Sequence, residues 1–452
     1  LKTGKITGMK QIQEVARTIP VMAETEVLVV GSGPGGLAAA LASARQGADT
    51  MLMERFGCFG GNITQAGVET IAWYRHPQTI EAGGIGMEFE RRAVDMNAAT
   101  PEVQSISHAL HTESFKYIAD RLVIESGVRP LLHCYFVEPV MDGAKIVGII
   151  TESKSGRQAI LARRVIDATG DADIAARCGA PYTQAPLANR LGVTVTFACS
   201  GVDKKRFMEY VDDNPGAYRQ WAADTTGKED NLFSPYIAEP FQRAREAGEI
   251  PADIEIAGTW SSITDQGEAS CLNVVYILGH DCTDVRDLTR GEMEGRRQAM
   301  WAIEALNKYL PGFEKARLRN FSASLGTRES RKIIGRGSLS GDQVRSQARF
   351  EDAVGIFPEF LDAYGTVILP TTGRYFQVPY GIMLPQKVEN LLVAGRAVGG
   401  DQESHAATRQ MMCCAVTGQG AGVAAALSLQ EGVSVAEVDI NKLQTEIKKQ
   451  GV

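Results

Sequence analysis

The chain has 452 residues, and 47 Lys and Arg against 54 Asp and Glu leave a net charge of −7. With 44% apolar and 22% charged residues it can bury a large core, which excludes a disordered chain; its acidity excludes a nucleic-acid scaffold, which would need a basic stripe. The length allows two or three domains, and 47 glycines stand above the roughly 7% average without a Gly-X-Y period, so they are expected where backbone approaches something closely.

Residues 1–24 lack the apolar stretch of a signal peptide and read as an ordered lead-in. Residues 26–45, EVLVVGSGPGGLAAALASAR, then read as a β-branched strand, a glycine turn and an alanine-rich helix. A second strand, ADTMLME, ends at Glu54, and a second glycine cluster, FGCFGGN, covers 56–62. Residues 113–125 have helical spacing, with Thr112 as N-cap and Gly127 as the stop. The strands that follow form a β-meander, with turns at Asp142-Gly143 and Ser155-Gly156. From 182 to 371 the character changes. Strand-like pieces alternate with a helix opened by the capping box Thr289-x-x-Glu292 and closed by Pro311-Gly312. The α/β pattern resumes at the strand NLLVAG. A long uncharged stretch, 411–429, ends the pattern; its Thr417, Gln419 and three glycines favour a buried helix over a membrane span. This order predicts an α/β domain formed by 1–181 and 372–452, interrupted by an inserted α+β domain at 182–371.

Gly31-Ser32-Gly33-Pro34-Gly35-Gly36 fits GxGxxG between a strand and a helix, the setting in which such a loop cradles a pyrophosphate. Glu54, at the end of the next strand, is placed to accept hydrogen bonds from ribose hydroxyls. The eight cysteines show no C-x-x-C spacing and most lie in apolar runs, which fits free thiols in a reducing cytosol. No His, Asp or Glu pair at i,i+4 recommends a metal site, and none is expected.

An N-terminal fingerprint, a meander and a late return to the α/β domain resemble the FAD-binding domain of the glutathione reductase and fumarate reductase superfamilies. ARRVIDATGDADIAARCGAP (162–181), LGTRESRKIIG (325–335) and VPYGIMLPQKVENLLVAGRAVGG (378–400), followed by GQGAGVAAAL, resemble more closely the FAD-dependent oxidoreductase family. The resemblance implies FAD, with Gly31, Ser32, Gly33, Pro34, Gly35 and Gly36 at its pyrophosphate and Glu54 with Arg55 at the adenosine ribose. It further implies Gly60, Gly61 and Asn62 along the diphosphate and flavin, Val137 as the backbone contact to adenine, and Ala168, Thr169 and Gly170 closing the adenosine side. The segment from Gly395 and the helix after Gln410 are implied at the ribityl chain and isoalloxazine. Two departures stand out. Arg396 follows Gly395 where the wider superfamily has an acid, whose role could pass to Asp401; and Ile63 stands five residues after Cys58, so the CxxxxC pair of disulfide reductases is missing. The adjacent Cys413 and Cys414 read as packing residues rather than a redox pair.

For catalysis His405 is the candidate base, with a loop or helix-capping histidine as the bland alternative. His111 and His133 read as structural, and His76, His108 and His280 have no assigned place. Arg328, with Arg409 and Tyr380, could bind a carboxylate or polarise a carbonyl above the flavin. The structural alternative, an ion-pair staple between the two domains built on Arg328, Glu329 and Arg331, is the favoured reading. Together these features predict an FAD-dependent dehydrogenase or oxidase that moves hydride from a small oxygenated or amino-bearing substrate to flavin N5, with dioxygen or an electron carrier as acceptor. A flavin monooxygenase using NAD(P)H and an electron-transfer subunit are the rivals, the latter weakened by the lack of clustered cysteines. A cytoplasmic homo-oligomer without nucleic-acid partners or membrane insertion completes the expectation.

Overall fold

A computed structural model describes residues 12–71, 74–75, 80–102, 105–213, 236–254, 256–259, 261–364, 366–370 and 373–452. The start of the lead-in, His76 and the expected boundary at 371/372 lie outside the described residues.

The first strand, β1 (Val21–Val30), begins five residues earlier than its apolar run suggested. Its inner half is buried on both sides: Val27 and Val29 join one core while Leu28 and Val30 join another, the two-residue alternation of a strand sandwiched between layers. Parallel pairing joins β1 to β2 (Thr50–Met53) on one side and to Gly156–Asp167 on the other. Between β1 and β2 runs the helix α1 (Pro34–Arg45). Gly156–Asp167 is long enough to serve two partners along one edge. Its first half pairs antiparallel with Lys145–Ser153 of the meander, and its last three residues pair parallel with Leu391–Val393. That shared strand is how the chain, leaving the sheet at Asp167, closes it again at Leu391. The expected meander and the expected α/β sheet are both present.

The helix Met411–Glu431 is long and apolar enough to span a membrane, but 94% of its most apolar window is buried. It packs along α1. A Cβ on Gly418 would sit 2.0 Å from the Gly35 carbonyl oxygen, and one on Gly422 would sit 2.2 Å from that of Ala39. These glycines therefore serve helix-to-helix contact rather than a phosphate.

The insertion has its own core, drawn from residues 193–325, in which an antiparallel sheet is covered by the helix Val285–Tyr309. Leu339, Phe357 and Phe376 pack instead into the first core, so the chain rejoins the α/β body by residue 339 and the insertion is shorter than 182–371. Two helix starts also move. Asp284, not Thr289, caps Val285–Tyr309 by accepting from the Arg286 N–H, and Thr289 Oγ1 donates to the Val285 carbonyl one turn inside. His111 precedes Thr112–Glu125 as its N-cap, while the Thr112 hydroxyl donates to the Ile63 carbonyl. In both cases an oxygen expected to cap a helix found a backbone carbonyl instead.

Candidate cofactor site

A cleft crosses the carboxyl ends of the parallel strands, where ligands sit in open α/β sheets. Its floor is the glycine turn. Gly33 is the N-cap of α1 with extended backbone, no side chain caps the helix, and nothing lies within 4 Å of where a Gly33 Cβ would be. By contrast a Cβ on Gly36 would meet the Gly31 oxygen at 1.8 Å, and Gly31 (φ +95°) abuts Ala168. Of these glycines one leaves space for a ligand and the others let strand and helix approach.

The turn is held from β2. Glu54 Oε2 accepts from Ser32 N at 2.8 Å and Ser32 Oγ at 2.6 Å, and its Oε1 accepts from Phe56 N at 3.1 Å. The second glycine cluster packs on the first: Gly60 N donates to the Ser32 carbonyl at 2.9 Å, and a Gly61 Cβ would fall 2.4 Å from Gly33 Cα. Gly61 and Asn62 line the cleft, whereas Gly60 lies behind it. On the far wall Asp167 is fully buried. Its carboxylate accepts from Thr169 N, Thr169 Oγ1, Ile174 N and Ala175 N at 2.7–3.1 Å, which shapes the turn bearing Ala168, Thr169 and Gly170, and burial pushes its carboxyl up to about 6. Gly170 (φ +82°) stacks against the Arg396 guanidinium, whose Nη2 donates to Asp171 at 2.7 Å. Arg396 thus faces the cleft paired to an acid of the opposite wall.

Arg55, exposed and stacked 4.8 Å over Phe56, stands at one end of the cleft with Tyr135 and Phe136. Val137 does not line it. It lies where the register shifts between Phe136 and Glu138, and its carbonyl accepts from Arg177, a cleft residue that sequence reasoning passed over. At the other end stand Ser324, Leu325 and Thr327 from the edge of the insertion, with Gln65, Arg409, Met411 and Cys414. Here a second uncapped helix begins: Gln410 is the N-cap of Met411–Glu431 without a side-chain hydrogen bond. One cleft therefore joins two helix N-termini whose N–H groups are left for an anionic ligand, the arrangement a long dinucleotide needs.

A family model for FAD dependent oxidoreductases matches residues 26–447. The chain belongs to that family. Its cofactor is FAD and it is an enzyme. Digeranylgeranylglycerophospholipid reductase 1 of Methanopyrus kandleri is 26% identical over 314 residues, which cover 63% of this oxidoreductase and 82% of that protein. Thiamine thiazole synthase of Sulfolobus acidocaldarius is 27% identical over 165 residues, 34% of this chain and 58% of that one. Among solved structures, a geranylgeranyl bacteriochlorophyll reductase-like protein from Thermoplasma acidophilum aligns at a TM-score of 0.46 and 12% identity, over 95% of this chain and 84% of that one.

Of the four catalytic candidates, Arg328, Tyr380 and His405 do not line the oxidoreductase's cleft, nor does Asp401, the candidate ribityl-binding acid. The Tyr380 hydroxyl is buried and donates to the Val435 carbonyl at 2.6 Å, with its proton held firmly by burial. Asp401 caps a short helix by accepting from Ser404 N at 2.7 Å and also accepts from Gly341 N, so it does not replace the superfamily's acid. His405 is buried behind the wall. Its Nε2 donates to the Arg328 carbonyl at 3.0 Å, and burial together with the charges of Lys332 and Arg409 keeps the ring neutral, well below 6.5. Of the four, Arg409 lines the cleft.

The 328–331 segment lies in no helix or strand, and of the three residues expected to staple the insertion to the α/β body, Arg331 makes such an ion pair. Ser330 Oγ donates to Asp171 at 2.5 Å, Arg331 pairs with Asp173 at 2.9 Å, and Glu329 pairs with Lys332. Arg328 makes no salt bridge among the described residues; its Nη2 donates to Asn273. All eight cysteines are free. Cys414 reaches the cleft, but burial pushes its thiol up to about 12, so neither it nor Cys413 offers a thiolate. Among the described residues no three His, Cys, Asp or Glu gather as metal ligands.

Proposed function

We propose that this enzyme oxidises a small oxygenated or amino-bearing substrate held where the insertion meets the cleft. The supporting observation is the single cleft that links two uncapped helix N-termini and ends against Ser324, Leu325 and Thr327 of the insertion. Gly33 and the first turn of α1 would hold the FAD diphosphate, with Glu54 and Arg55 at the adenosine ribose, Thr169, Gly170 and Arg396 along the middle, and Gly395 and Met411 at the flavin. FAD, when bound, supplies a hydride acceptor at N5 and passes the electrons on to dioxygen or a carrier.

The protein's own groups bind and polarise. At the insertion end the described cleft wall carries guanidinium, hydroxyl, amide and thiol groups but no imidazole or carboxylate, so the wall orients substrate and leaves its proton to solvent. The N-terminus of Met411–Glu431 favours negative charge on whatever lies against it.

The test is an anaerobic screen of alcohols, amines and organic acids against the purified yellow protein. Bleaching of the flavin spectrum by substrate alone is the expected result. Bleaching only by NAD(P)H, accelerated by an aromatic substrate, would transfer the assignment to a monooxygenase, and a purified protein without flavin would defeat the scheme.

A further inference from the structure

Three cations close to the cleft on the return from the insertion have acid partners. Lys332 pairs with Glu329 and both are almost wholly buried; Arg396 pairs with Asp171; Arg409 pairs with Asp362, donating to its carbonyl and, at 3.2 Å, to its Oδ2. Arg328 is left over. It forms no salt bridge among the described residues; its Nη2 donates to the neutral Asn273 Oδ1 at 3.2 Å, and its guanidinium lies 4.9 Å from the centre of the Tyr276 ring. A half-buried cation without a direct anion partner is left less well solvated than in water and is favoured by an anion that joins it. Burial and then the nearby Arg409 charge lower the Arg328 pKa, against the smaller opposing effects of Asp362 and Tyr276.

Arg328 stands beside the cleft rather than in its lining, next in the chain to Thr327, which lines it. Arg328, Asn273 and Tyr276 remain partly exposed, unlike the packed core residues either side of them. Arg409 bridges from here into the cleft, where its Nε is buried without a partner. His405 holds the Arg328 carbonyl from behind, so the backbone bearing the guanidinium is fixed. Asn273 Oδ1 is itself held by Thr194 Oγ1 at 2.8 Å.

We propose that Arg328, assisted by Arg409, is the anion-binding group of the substrate site, and that the substrate carries a carboxylate. A planar fork of donors suits a carboxylate in two-point contact, and binding would give Arg328 the direct ion pair it lacks among the described residues. The proposal rests on the reading above that substrate meets the cleft at the insertion. Arg328 is then a specificity residue that selects and orients the substrate, and His405 is a positioning residue acting through it.

The FAD-loaded protein is titrated with malonate and benzoate, with malonamide and benzamide as neutral counterparts and inorganic phosphate as the other oxyanion. The flavin visible spectrum and calorimetry are both read. Saturable binding of at least one carboxylate, absent for its amide and weaker for phosphate, is the expected result. Arg328→Ala should weaken it by about 10- to 100-fold with FAD content unchanged, and Arg328→Lys should recover part of it. Asn273→Asp keeps the packing and places an internal carboxylate on Arg328, so it should weaken the same probe as well. Equal binding of acid and amide, preference for phosphate, or unchanged affinity in Arg328→Ala and Asn273→Asp would overturn the proposal. If the protein carries FAD and is bleached by a neutral substrate while neither probe binds, the carboxylate proposal alone falls; if it carries no flavin, the reading beneath it falls too.

Discussion

His405 is where residue chemistry and residue position part company. An imidazole nine residues after Arg396 has the right chemistry for a base, yet its Nε2 proton is donated to the Arg328 carbonyl. We expect His405→Gln to retain FAD and to change the rate of flavin reduction by less than about tenfold, against the 10²–10⁴ that loss of a base would cost. Its pH signature is separate. The folded ring resists protonation, so as pH falls through about 6.5 the unfolded chain takes up a proton that the folded chain refuses, and stability is lost. Urea unfolding at pH 7.5 and 5.5 should show the parent protein losing about 1 kcal/mol more than His405→Gln over that interval. The glycine turn makes a sharper contrast. Gly33→Ala adds a methyl to open space with permitted backbone, so the FAD-free protein should melt within about 0.5 kcal/mol of the parent while FAD affinity falls by about tenfold or more. Gly36→Ala drives its methyl into the Gly31 oxygen and should lower the stability of the FAD-free protein itself, by about 1–3 kcal/mol or more.

At the scale of elements, the decisive contact is that between α1 and the helix Met411–Glu431. Both are apolar nearly all round because each is buried nearly all round, α1 between the sheet and the long helix. Gly418 touches Gly35 within the phosphate-type turn, whereas Gly422 touches Ala39 a turn further along. Gly418→Ala should therefore cost both stability and FAD affinity, while Gly422→Ala should cost about 1–3 kcal/mol of stability with a smaller effect on FAD. Thermal melts and flavin retention during dialysis separate the two. Asp167 makes a comparable link between strand and loop: it accepts three N–H groups and one hydroxyl, and an asparagine has one acceptor atom in place of two. Asp167→Asn should cost about 1–3 kcal/mol by leaving buried donors unpaired, measurable as a lower urea midpoint.

Across the whole molecule, one ligand ties together segments that are far apart in the chain. The cleft draws on residues from 30 to 36, 53 to 65, 134 to 177, 324 to 327 and 394 to 414. FAD in excess at about a hundred times its dissociation constant should therefore raise stability by about 2.7 kcal/mol, and stripping FAD should lower the melting temperature of the α/β body and insertion together. The sheet, α1, the meander and most of the cofactor wall were legible in the amino-acid order, because strand alternation, a glycine turn and an apolar helix are local patterns that burial on both faces reinforces. Gly31 to Gly36, Glu54, Gly61, Asn62, Thr169, Gly170 and Arg396 all reach the cleft for that reason. Tyr380, Asp401, His405 and the extent of the insertion were not legible, since each depends on which distant backbone group is nearest: the Val435 carbonyl, the Ser404 and Gly341 N–H groups, the Arg328 carbonyl, and the core that receives Leu339 and Phe357. The sequence by itself determined the family, the cofactor and the α/β frame. Only the tertiary structure decided which glycines face open space and which face another helix, and that Arg328 meets no acid in a direct pair among the described residues, because clearance and ion pairing are properties of neighbours that the chain brings together only on folding.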